Sequence, residues 1–208
     1  MTTVLVVDDH PPLRLVVRQQ LSQILGVGKI VEAGNGQDAV QLVREHMPGL
    51  VILDIELPRI NGLEVIPRIK AIHPGVRILA VSAQDPSLFA PRVKAAGAQG
   101  YIGKVNEIPE IVRAIEVVLA GYTIFPDFGA DAHAGAEIEA TKKLERLSDK
   151  EIMVMQMLAR GMSNKEIGDA MFISNKTVST YKTRLMAKLG VVSLVDLVDF
   201  TRRHHISL

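Results

Sequence analysis

Residues 4–9, VLVVDD, and residues 50–54, LVILD, decide the fold class of this chain. Each is a short apolar run that ends on aspartate, which is the pattern of a parallel strand buried on both faces. Residues 78–82, ILAVS, and residues 100–104, GYIGK, repeat the pattern and end on a serine and a lysine. Because ligands bind outside the carboxyl ends of the strands in an open α/β sheet, these polar groups are predicted to share one edge.

Strand-like and helix-like segments alternate through the first 120 residues. Strands are predicted at 3–7, 29–33, 50–53, 77–81 and 100–102. Amphipathic helices are predicted at 12–25, 36–46, 63–72, 86–96 and 107–120. Five βα units in this order indicate a doubly wound parallel sheet of the flavodoxin-like kind, with helices on both faces.

Residues 147–208 show only helical periodicity. SDKE at 148–151 and SNKE at 163–166 are capping-box patterns, and each opens an apolar-periodic segment. We therefore predict a small all-α domain of four helices that contains a helix-turn-helix. The predicted organisation is an α/β domain at 1–122, a linker at 123–143 and the helical domain at 144–208.

The composition excludes several classes of protein. None of the 208 residues is cysteine, so disulfides, iron–sulfur clusters and thiolate zinc sites are ruled out. No apolar run approaches the length of a transmembrane helix, and we expect a cytoplasmic protein without a membrane partner. The net charge of +1 conceals a basic stretch, since residues 170–195 contain four Lys or Arg and no acid. Such a stretch suits a polyanion.

The polar residues at the strand ends suit phosphoryl chemistry. Asp9 and Asp54 follow neighbouring strands, where they are expected to bind one Mg2+ together with a backbone carbonyl. With its charge partly neutralised by the metal, the Asp54 carboxylate can attack phosphorus and form an acyl phosphate. Lys104 is expected to pair with one phosphoryl oxygen, and Ser82 to donate a hydrogen bond to another.

Over about residues 1–122 the chain resembles the receiver domain of two-component response regulators. The matching residues are Asp8, Asp9, Asp54, Pro58, Gly62, Ser82, Tyr101 and Lys104. The resemblance implies phosphorylation at Asp54 and a conformational switch at Ser82 and Tyr101. It implies metal ligation by the side chains of Asp8, Asp9 and Asp54 and by the backbone carbonyl of Glu56. One departure is Val105, which stands where many receivers carry a proline after the lysine.

Residues 174–185, SNKTVSTYKTRL, form the second informative stretch. On a helix, one face collects Val178, Tyr181, Leu185 and Leu189 at spacings of three and four. The remaining surface carries Lys176, Ser179, Thr180, Lys182, Thr183 and Arg184. Small hydroxyl side chains let a helix lie in a major groove and contact bases, while Lys and Arg bind phosphates. The sequence therefore predicts an interface for double-stranded DNA.

Residues 147–208 resemble the LuxR-type DNA-binding domain of the NarL/FixJ response regulators. The matching segments are LSDKE at 147–151, GMSNKEI at 161–167, TVSTY at 177–181 and KLG at 188–190. Within that family, residues 172–182 look closest to the BvgA/EvgA subgroup. The resemblance implies base contacts by Ser179, Thr180 and Thr183. It places further DNA contacts at Lys165, Lys176, Thr177, Lys182 and Arg184.

The last predicted helix leaves two interpretations open. Its apolar residues are Leu194, Val195, Leu197, Val198 and Phe200. Either they pack on the core of their own domain, or part of this face forms a two-fold dimer contact. A two-fold dimer would match inverted-repeat half-sites in promoter DNA.

Three functions are compatible with these patterns. The first is a transcription regulator, not an enzyme, whose dimerisation and DNA binding are controlled by phosphorylation from a histidine kinase or phosphotransfer domain. The alternative is a phosphorylation-independent DNA-binding regulator that uses its receiver as a dimerisation module. The third is a phosphohydrolase with Asp54 as nucleophile. Against it, Glu56 stands where haloacid-dehalogenase-type phosphatases need an aspartate.

Overall fold

The computed structural model describes residues 1–126, 143–203 and 206. The chain divides into two compact units at residues 127–128. The first unit contains a five-stranded parallel sheet in the order β2-β1-β3-β4-β5. Its strands are β1 (Thr2–Val7), β2 (Val27–Ala33), β3 (Leu50–Asp54), β4 (Arg77–Ser82) and β5 (Gly100–Gly103). This is the doubly wound arrangement that the sequence predicts.

Helices follow each strand of this sheet. They are α1 (Pro11–Leu21), α2 (Gly36–His46), α3 (Gly62–Ile72), α4 (Pro86–Ala95) and α5 (Ile108–Leu119). Proline at the first or second position starts α1, α4 and α5, where the missing N–H removes no helical hydrogen bond. Side-chain caps from Asn35, Asn61 and Asp85 start α2, α3 and α4.

The first helix is shorter than predicted, and β2 begins earlier. The apolar periodicity continues through Ile24 and Leu25, but the helix ends at Leu21. Leu25 is 99% exposed, so it is not part of the buried face that its spacing suggests. The chain turns at Gly26, whose φ of 94° is readily adopted by glycine, and the Gly26 carbonyl accepts the N–H of Thr2.

The sheet is buried on both faces. One face packs against α1 and α5, through residues that include Val6, Ile52, Val17 and Ile115. The opposite face buries the alternate strand residues Leu5, Val51 and Leu53, and α2, α3 and α4 bury Val43, Ile66 and Phe89. Since both faces are covered, the exposed edge at the strand ends is where reactive groups meet solvent.

The first unit continues past the predicted end of the α/β domain. Ile124 forms a backbone bridge with Gly100, and its carbonyl accepts the N–H of Tyr101 at 2.9 Å. Residues 123–126 of the predicted linker therefore include a segment that is hydrogen-bonded to β5. Residues 127–142 of that linker lie outside the described part of the chain.

The described part of the second unit begins with helical residues at 143–145, and four further helices follow. They are α6 (Asp149–Ala159), α7 (Asn164–Met171), α8 (Asn175–Leu189) and α9 (Leu194–Arg203). Both predicted capping boxes are formed, at Ser148 with Glu151 and at Ser163 with Glu166. Among the described residues, no helix combines the length and the apolar character that a membrane span requires.

An ion pair between the buried Glu151 and the solvent-exposed Lys188 links α6 to the end of α8. Glu151 accepts the Lys188 ammonium at 2.6 Å and the Ser148 N–H at 2.7 Å, both through Oε2. Burial alone would raise the pKa of Glu151, but the hydrogen bonds from Lys188 and Ser148 hold it below its usual value. The pair contributes stability that is present at neutral pH and is lost as the pH falls through the lowered pKa.

Replacing Lys188 by methionine is expected to destabilise the helical unit by about 1–3 kcal/mol, because it leaves a buried carboxylate without its cation. Urea unfolding of the full chain at pH 7 measures the change. Lys176→Met is the matched control, since Lys176 is exposed in the first turn of the same helix. Equal unfolding free energies for the two variants would contradict a stabilising role for the pair.

Candidate functional site

The strand register brings the predicted phosphoryl-site residues to one edge of the sheet. Asp54 lies opposite Val81 at the end of β3, and Ser82 lies opposite Gly103 at the end of β4. Lys104 follows directly, with its N–H donated to the Ser82 carbonyl at 2.8 Å. The side chains that the sequence placed together are therefore neighbours in the structure.

Lys104 is shared between two carboxylates. Its Nζ lies 2.7 Å from Oδ2 of Asp54 and 2.8 Å from Oδ2 of Asp8. Asp54 is 1% exposed, and its second oxygen, Oδ1, accepts the Glu56 N–H at 2.9 Å. One ammonium thus compensates two carboxylates, and both of them are buried.

The charge balance of the site favours a further cation. Burial raises the pKa of Asp54 to about 6, although Lys104 and the Glu56 N–H act in the opposite direction. Burial would lower the pKa of Lys104, but its ion pairs with Asp54 and Asp8 raise it overall. Lys104 therefore stays charged, while the buried Asp54 carboxylate remains under-compensated.

Four side chains at this edge can offer ligand atoms to one metal ion. One atom from each of Asp8, Asp9, His10 and Asp54 lies within 4.8 Å of the others. Carboxylate oxygens are the donors that Mg2+ prefers, so the three aspartates fit this ion. His10 was not singled out from the sequence. Its position between the acidic pair and two prolines is an ordinary turn composition and does not by itself indicate a functional residue.

Ser82 and Tyr101 are connected through Gln84. The Ser82 Oγ accepts the Gln84 N–H at 3.1 Å, and the Tyr101 hydroxyl donates to the Gln84 carbonyl at 2.7 Å. Tyr101 is buried, and burial raises the pKa of its hydroxyl against a smaller lowering from a hydrogen bond with Ser82. A movement of the Ser82 side chain can therefore reach the Tyr101 ring through the backbone of Gln84.

The helix α8 separates a buried face from an exposed one, as its sequence predicts. Val178, Leu185 and Leu189 are buried, and Tyr181 is half-buried. Six predicted DNA contacts are exposed: Lys165 on α7, and Lys176, Ser179, Thr180, Thr183 and Arg184 on α8. Thr177 and Lys182 are half-buried.

The threonines of α8 are held by the helix itself. The hydroxyls of Thr180 and Thr183 each donate at 3.0 Å to the backbone carbonyl four residues earlier. Thr177 instead shares a 2.8 Å hydrogen bond with Ser174, the residue that caps the helix. With their protons engaged, the exposed threonines present a methyl group and an acceptor oxygen to a partner, which suits thymine methyls and base amino groups.

Asn164 is a contact that the sequence did not reveal. Its amide donates to the Ser179 Oγ at 3.1 Å, so the start of α7 is tied to the exposed face of α8. The two helices of the helix-turn-helix are thereby joined at the surface as well as through their buried residues. In the sequence, Asn164 is recognisable only as part of the capping-box pattern SNKE at 163–166.

The sequence left open whether the apolar residues of the last helix pack on the core of their own domain or form a dimer contact. In the structure some of these residues are buried and others are exposed. Leu197 is buried, which agrees with packing on the domain's own core. Val195 is 69% exposed and Leu194 is 39% exposed, and Val192 just before the helix is 91% exposed. One side of α9 thus belongs to the core, while its start presents apolar surface to solvent.

Comparison with known proteins agrees with both halves of this geometry. Residues 4–116 match the family model "Response regulator receiver domain", and residues 145–201 match "Bacterial regulatory proteins, luxR family". The chain is 45% identical over 206 residues to the transcription regulator BvgA of Bordetella pertussis, covering 98% of each chain. It is 37% identical over 202 residues to the DNA-binding transcriptional activator EvgA of Escherichia coli, covering 97% of this chain and 98% of EvgA.

A solved structure extends the similarity to the fold. The structure of RcsB from Salmonella enterica serovar Typhimurium, bound to a promoter in the presence of phosphomimetic BeF3-, is 25% identical. It has a TM-score of 0.59 and covers 96% of this chain and 97% of that chain. The receiver fold, the LuxR-type helical domain and the full-length relatives place this chain in the family of DNA-binding, two-component response regulators that includes BvgA and EvgA.

Proposed function

We propose that Asp54 is the phosphoacceptor of this response regulator, and that a cognate histidine kinase or phosphotransfer domain phosphorylates it in the cytoplasm. Phosphorylation then controls dimerisation and the binding of promoter DNA. The observation that carries the proposal is the buried Asp54 carboxylate, 2.7 Å from a lysine that a second aspartate shares. This arrangement holds the nucleophilic carboxylate of Asp54 next to the Lys104 ammonium. After transfer, the same ammonium can form an ion pair with an oxygen of the new phosphoryl group.

The chain's own residues account for the transfer. An Asp54 oxygen attacks phosphorus, a P–O bond to the carboxylate forms, and the bond to the donor breaks with its electron pair leaving on the donor. Lys104 then exchanges its contact with Asp54 for a phosphoryl oxygen. Bound Mg2+ supplies charge neutralisation on the carboxylates and the phosphoryl oxygens. Its proposed ligands are Asp8, Asp9, Asp54 and the backbone carbonyl of Glu56.

We propose that the conformational change caused by phosphorylation begins at Ser82. Its hydroxyl is proposed to donate to a phosphoryl oxygen, and this changes its bond to the Gln84 N–H. Because the Gln84 carbonyl accepts the Tyr101 hydroxyl, the β4–α4 loop and the tyrosine ring respond together. The site is then a switch and not the active site of an enzyme, and no turnover of p-nitrophenyl phosphate is expected.

The output is proposed to be a dimer on double-stranded promoter DNA. EvgA is described as a DNA-binding transcriptional activator, and RcsB has been solved on a promoter. In this chain α8 presents the hydroxyl and basic groups that such binding needs. The apolar start of α9 is proposed as the two-fold contact, so that the operator contains inverted half-sites.

DNA binding by the full chain tests the proposal. A duplex selected from a random library by the acetyl-phosphate-treated protein serves as the probe. Treatment with acetyl phosphate and Mg2+ is expected to raise the affinity of the wild type at least about tenfold through dimerisation, and to leave Asp54→Asn unchanged. Equal affinities for treated wild type, untreated wild type and Asp54→Asn would contradict it and favour the phosphorylation-independent alternative.

Arg184→Ala is expected to weaken DNA binding and to reduce the slope of log affinity against log salt concentration by about one, because one phosphate contact is lost. Fluorescence anisotropy over a range of salt concentrations measures the slope. Arg44→Ala removes the same charge from an exposed position of α2 and is the matched control. If both variants change the slope equally, Arg184 acts only through net charge.

A further inference from the structure

After α5 the chain turns back onto the edge of the sheet. The helix ends in a Schellman motif, in which the N–H groups of Gly121 and Tyr122 donate to the carbonyls of Val118 and Val117 at 3.0 and 3.1 Å. Gly121 adopts the positive φ of 95° that this motif requires. Residues 122–126 then run beside β5, which is an edge strand of the sheet. We call residues 122–126 the strap.

The strap is hydrogen-bonded to β5 through Ile124. The Ile124 N–H donates to the Gln99 carbonyl at 3.0 Å, and the Ile124 carbonyl accepts the Tyr101 N–H at 2.9 Å. Its half-buried side chain packs against the hydrophobic core between the sheet and α5. Gly100 leaves room for it, since an added Cβ would stand 2.8 Å from Ile124 Cγ2 and 3.0 Å from the Ile124 carbonyl oxygen. The strap therefore covers an edge that is otherwise open to pairing.

A second contact joins the strap to α4. The Lys94 ammonium lies 5.5 Å from the centroid of the half-buried Phe125 ring. Cation–π attraction acts within about 6 Å, so this contact is close to its limit. Helix α4 also contains Pro91 in its interior, where the missing N–H removes a helical hydrogen bond and weakens the helix. The strap thus bridges a strand of the sheet and a helix that is more easily displaced.

Both contacts adjoin the path from Ser82 to Tyr101. Tyr101 donates its hydroxyl to the Gln84 carbonyl at 2.7 Å and its backbone N–H to the Ile124 carbonyl. Gln84 lies in the loop between β4 and α4, and α4 carries Lys94. A displacement of this loop therefore reaches the strap in two ways, through the backbone of Tyr101 and through the Lys94 ammonium.

We propose that the strap is a releasable clasp, docked on β5 and α4 in the unphosphorylated chain and freed when Asp54 is phosphorylated. This inference rests on the proposed function, since the phosphoryl group is what moves Ser82. A shift of α4 by about 1 Å takes Lys94 beyond the cation–π range of Phe125. Release adds five residues to the chain between the two units, which is roughly 17 Å when extended. The second unit then gains reach for pairing on DNA.

Hydrogen exchange of single amides in the full chain, followed by NMR, tests the inference. Beryllofluoride with Mg2+ serves as the phosphomimetic. It is expected to speed exchange of the Tyr101 and Ile124 amides by about tenfold or more, because both donate within the strap contact. The Val6 amide, in the central part of the sheet, is the internal reference and is expected to stay unchanged. In Asp54→Asn no amide of the strap is expected to respond.

A substitution within the strap tests the Lys94 contact separately. Phe125→Ala is expected to speed exchange of the Ile124 amide about twofold or more without beryllofluoride, because the cation–π contact is lost. Tyr122→Ala is the matched control, since it removes a neighbouring aromatic ring from a residue that is 71% exposed. It is expected to leave the exchange rate unchanged. Equal rates in the two variants would overturn the role of Phe125.

The outcomes separate the inference from the function on which it rests. The Glu56 amide donates to Asp54 and reports occupancy of the phosphoryl site by its chemical shift. If that amide shifts with beryllofluoride while the Tyr101 and Ile124 amides keep their exchange rates, the strap is a permanent part of the sheet and the inference is overturned. The proposed function would then stand. A Glu56 amide that does not respond contradicts the proposed phosphoacceptor, and the inference with it.

Discussion

Asp54→Asn is expected to be more stable than the wild type above pH 6, by up to roughly 3 kcal/mol. The pKa of Asp54 is raised to about 6 from an ordinary value of 3.8, mainly by burial. Between these values the folded chain keeps a proton that the unfolded chain releases. The stability of the wild type therefore falls as the pH rises from about 4 to about 6, and it stays low above that range. Asparagine is uncharged, so the folding stability of the variant is not lowered by the burial of an ionised carboxylate.

The comparison is made by urea unfolding across pH 4.5 to about 8 with a matched control. Glu116→Gln neutralises an exposed carboxylate on α5 and is expected to change stability little at any pH. Mg2+ is expected to stabilise the wild type, because it binds the native carboxylates and not the unfolded chain. It should therefore reduce the difference in unfolding free energy between Asp54→Asn and the wild type. An Asp54→Asn variant that is less stable than the wild type at pH 7.5 would show that the carboxylate is fully compensated.

Gly62→Ala is expected to destabilise the first unit by about 1–3 kcal/mol and to impair phosphorylation. Gly62 begins α3, and its N–H donates to the Ile55 carbonyl at 3.0 Å. An added Cβ would overlap the Asp54 carbonyl oxygen and would stand 2.7 Å from the Ile55 Cα. Both obstacles are backbone, so relief requires moving the loop that follows the phosphoacceptor and not merely a side-chain rotation.

Gly75→Ala is the matched control for this substitution. The nearest neighbour of its added Cβ is a His73 ring carbon at 3.6 Å, which is ordinary contact. We expect a change in unfolding free energy within about 0.5 kcal/mol, as for a surface substitution without strain. Unfolding and the rate of phosphoryl uptake from acetyl phosphate are measured on both variants. If Gly62→Ala and Gly75→Ala have the same unfolding free energy and the same rate of phosphoryl uptake, the β3–α3 loop can move to accommodate a Cβ at Gly62.

The sequence predicts the strand ends well, because a buried apolar run and the polar residue that ends it are adjacent in the chain. An apolar run buried on both faces must end where polar groups begin, so Asp54, Ser82 and Lys104 are recognisable without coordinates. The parallel register then brings them together. The end of α1 is less predictable, since Leu25 keeps the helical spacing and is nevertheless exposed. Periodicity identifies positions that can face the core, but the turn at Gly26 decides whether they do.

Contacts between side chains far apart in the chain were beyond prediction. The Asn164 amide on Ser179 and the Lys188 ammonium on Glu151 join residues of different helices, and no spacing within one helix signals them. The placement of His10 is not predictable either, although its partners Asp8 and Asp9 are its neighbours in the chain. A histidine between aspartates and prolines is an ordinary turn composition, and only the folded backbone brings its Nδ1 to the carboxylates.

The most direct test of the account is the site of phosphoryl attachment. The intact mass and the assembly state of the full chain are measured after treatment with acetyl phosphate and Mg2+, for wild type and Asp54→Asn. The account predicts that the wild type alone gains one phosphoryl group, that reductive labelling of the acyl phosphate maps it to Asp54, and that the modified chain dimerises. Modification of Asp54→Asn to the same extent as the wild type would contradict the assignment of the phosphoacceptor.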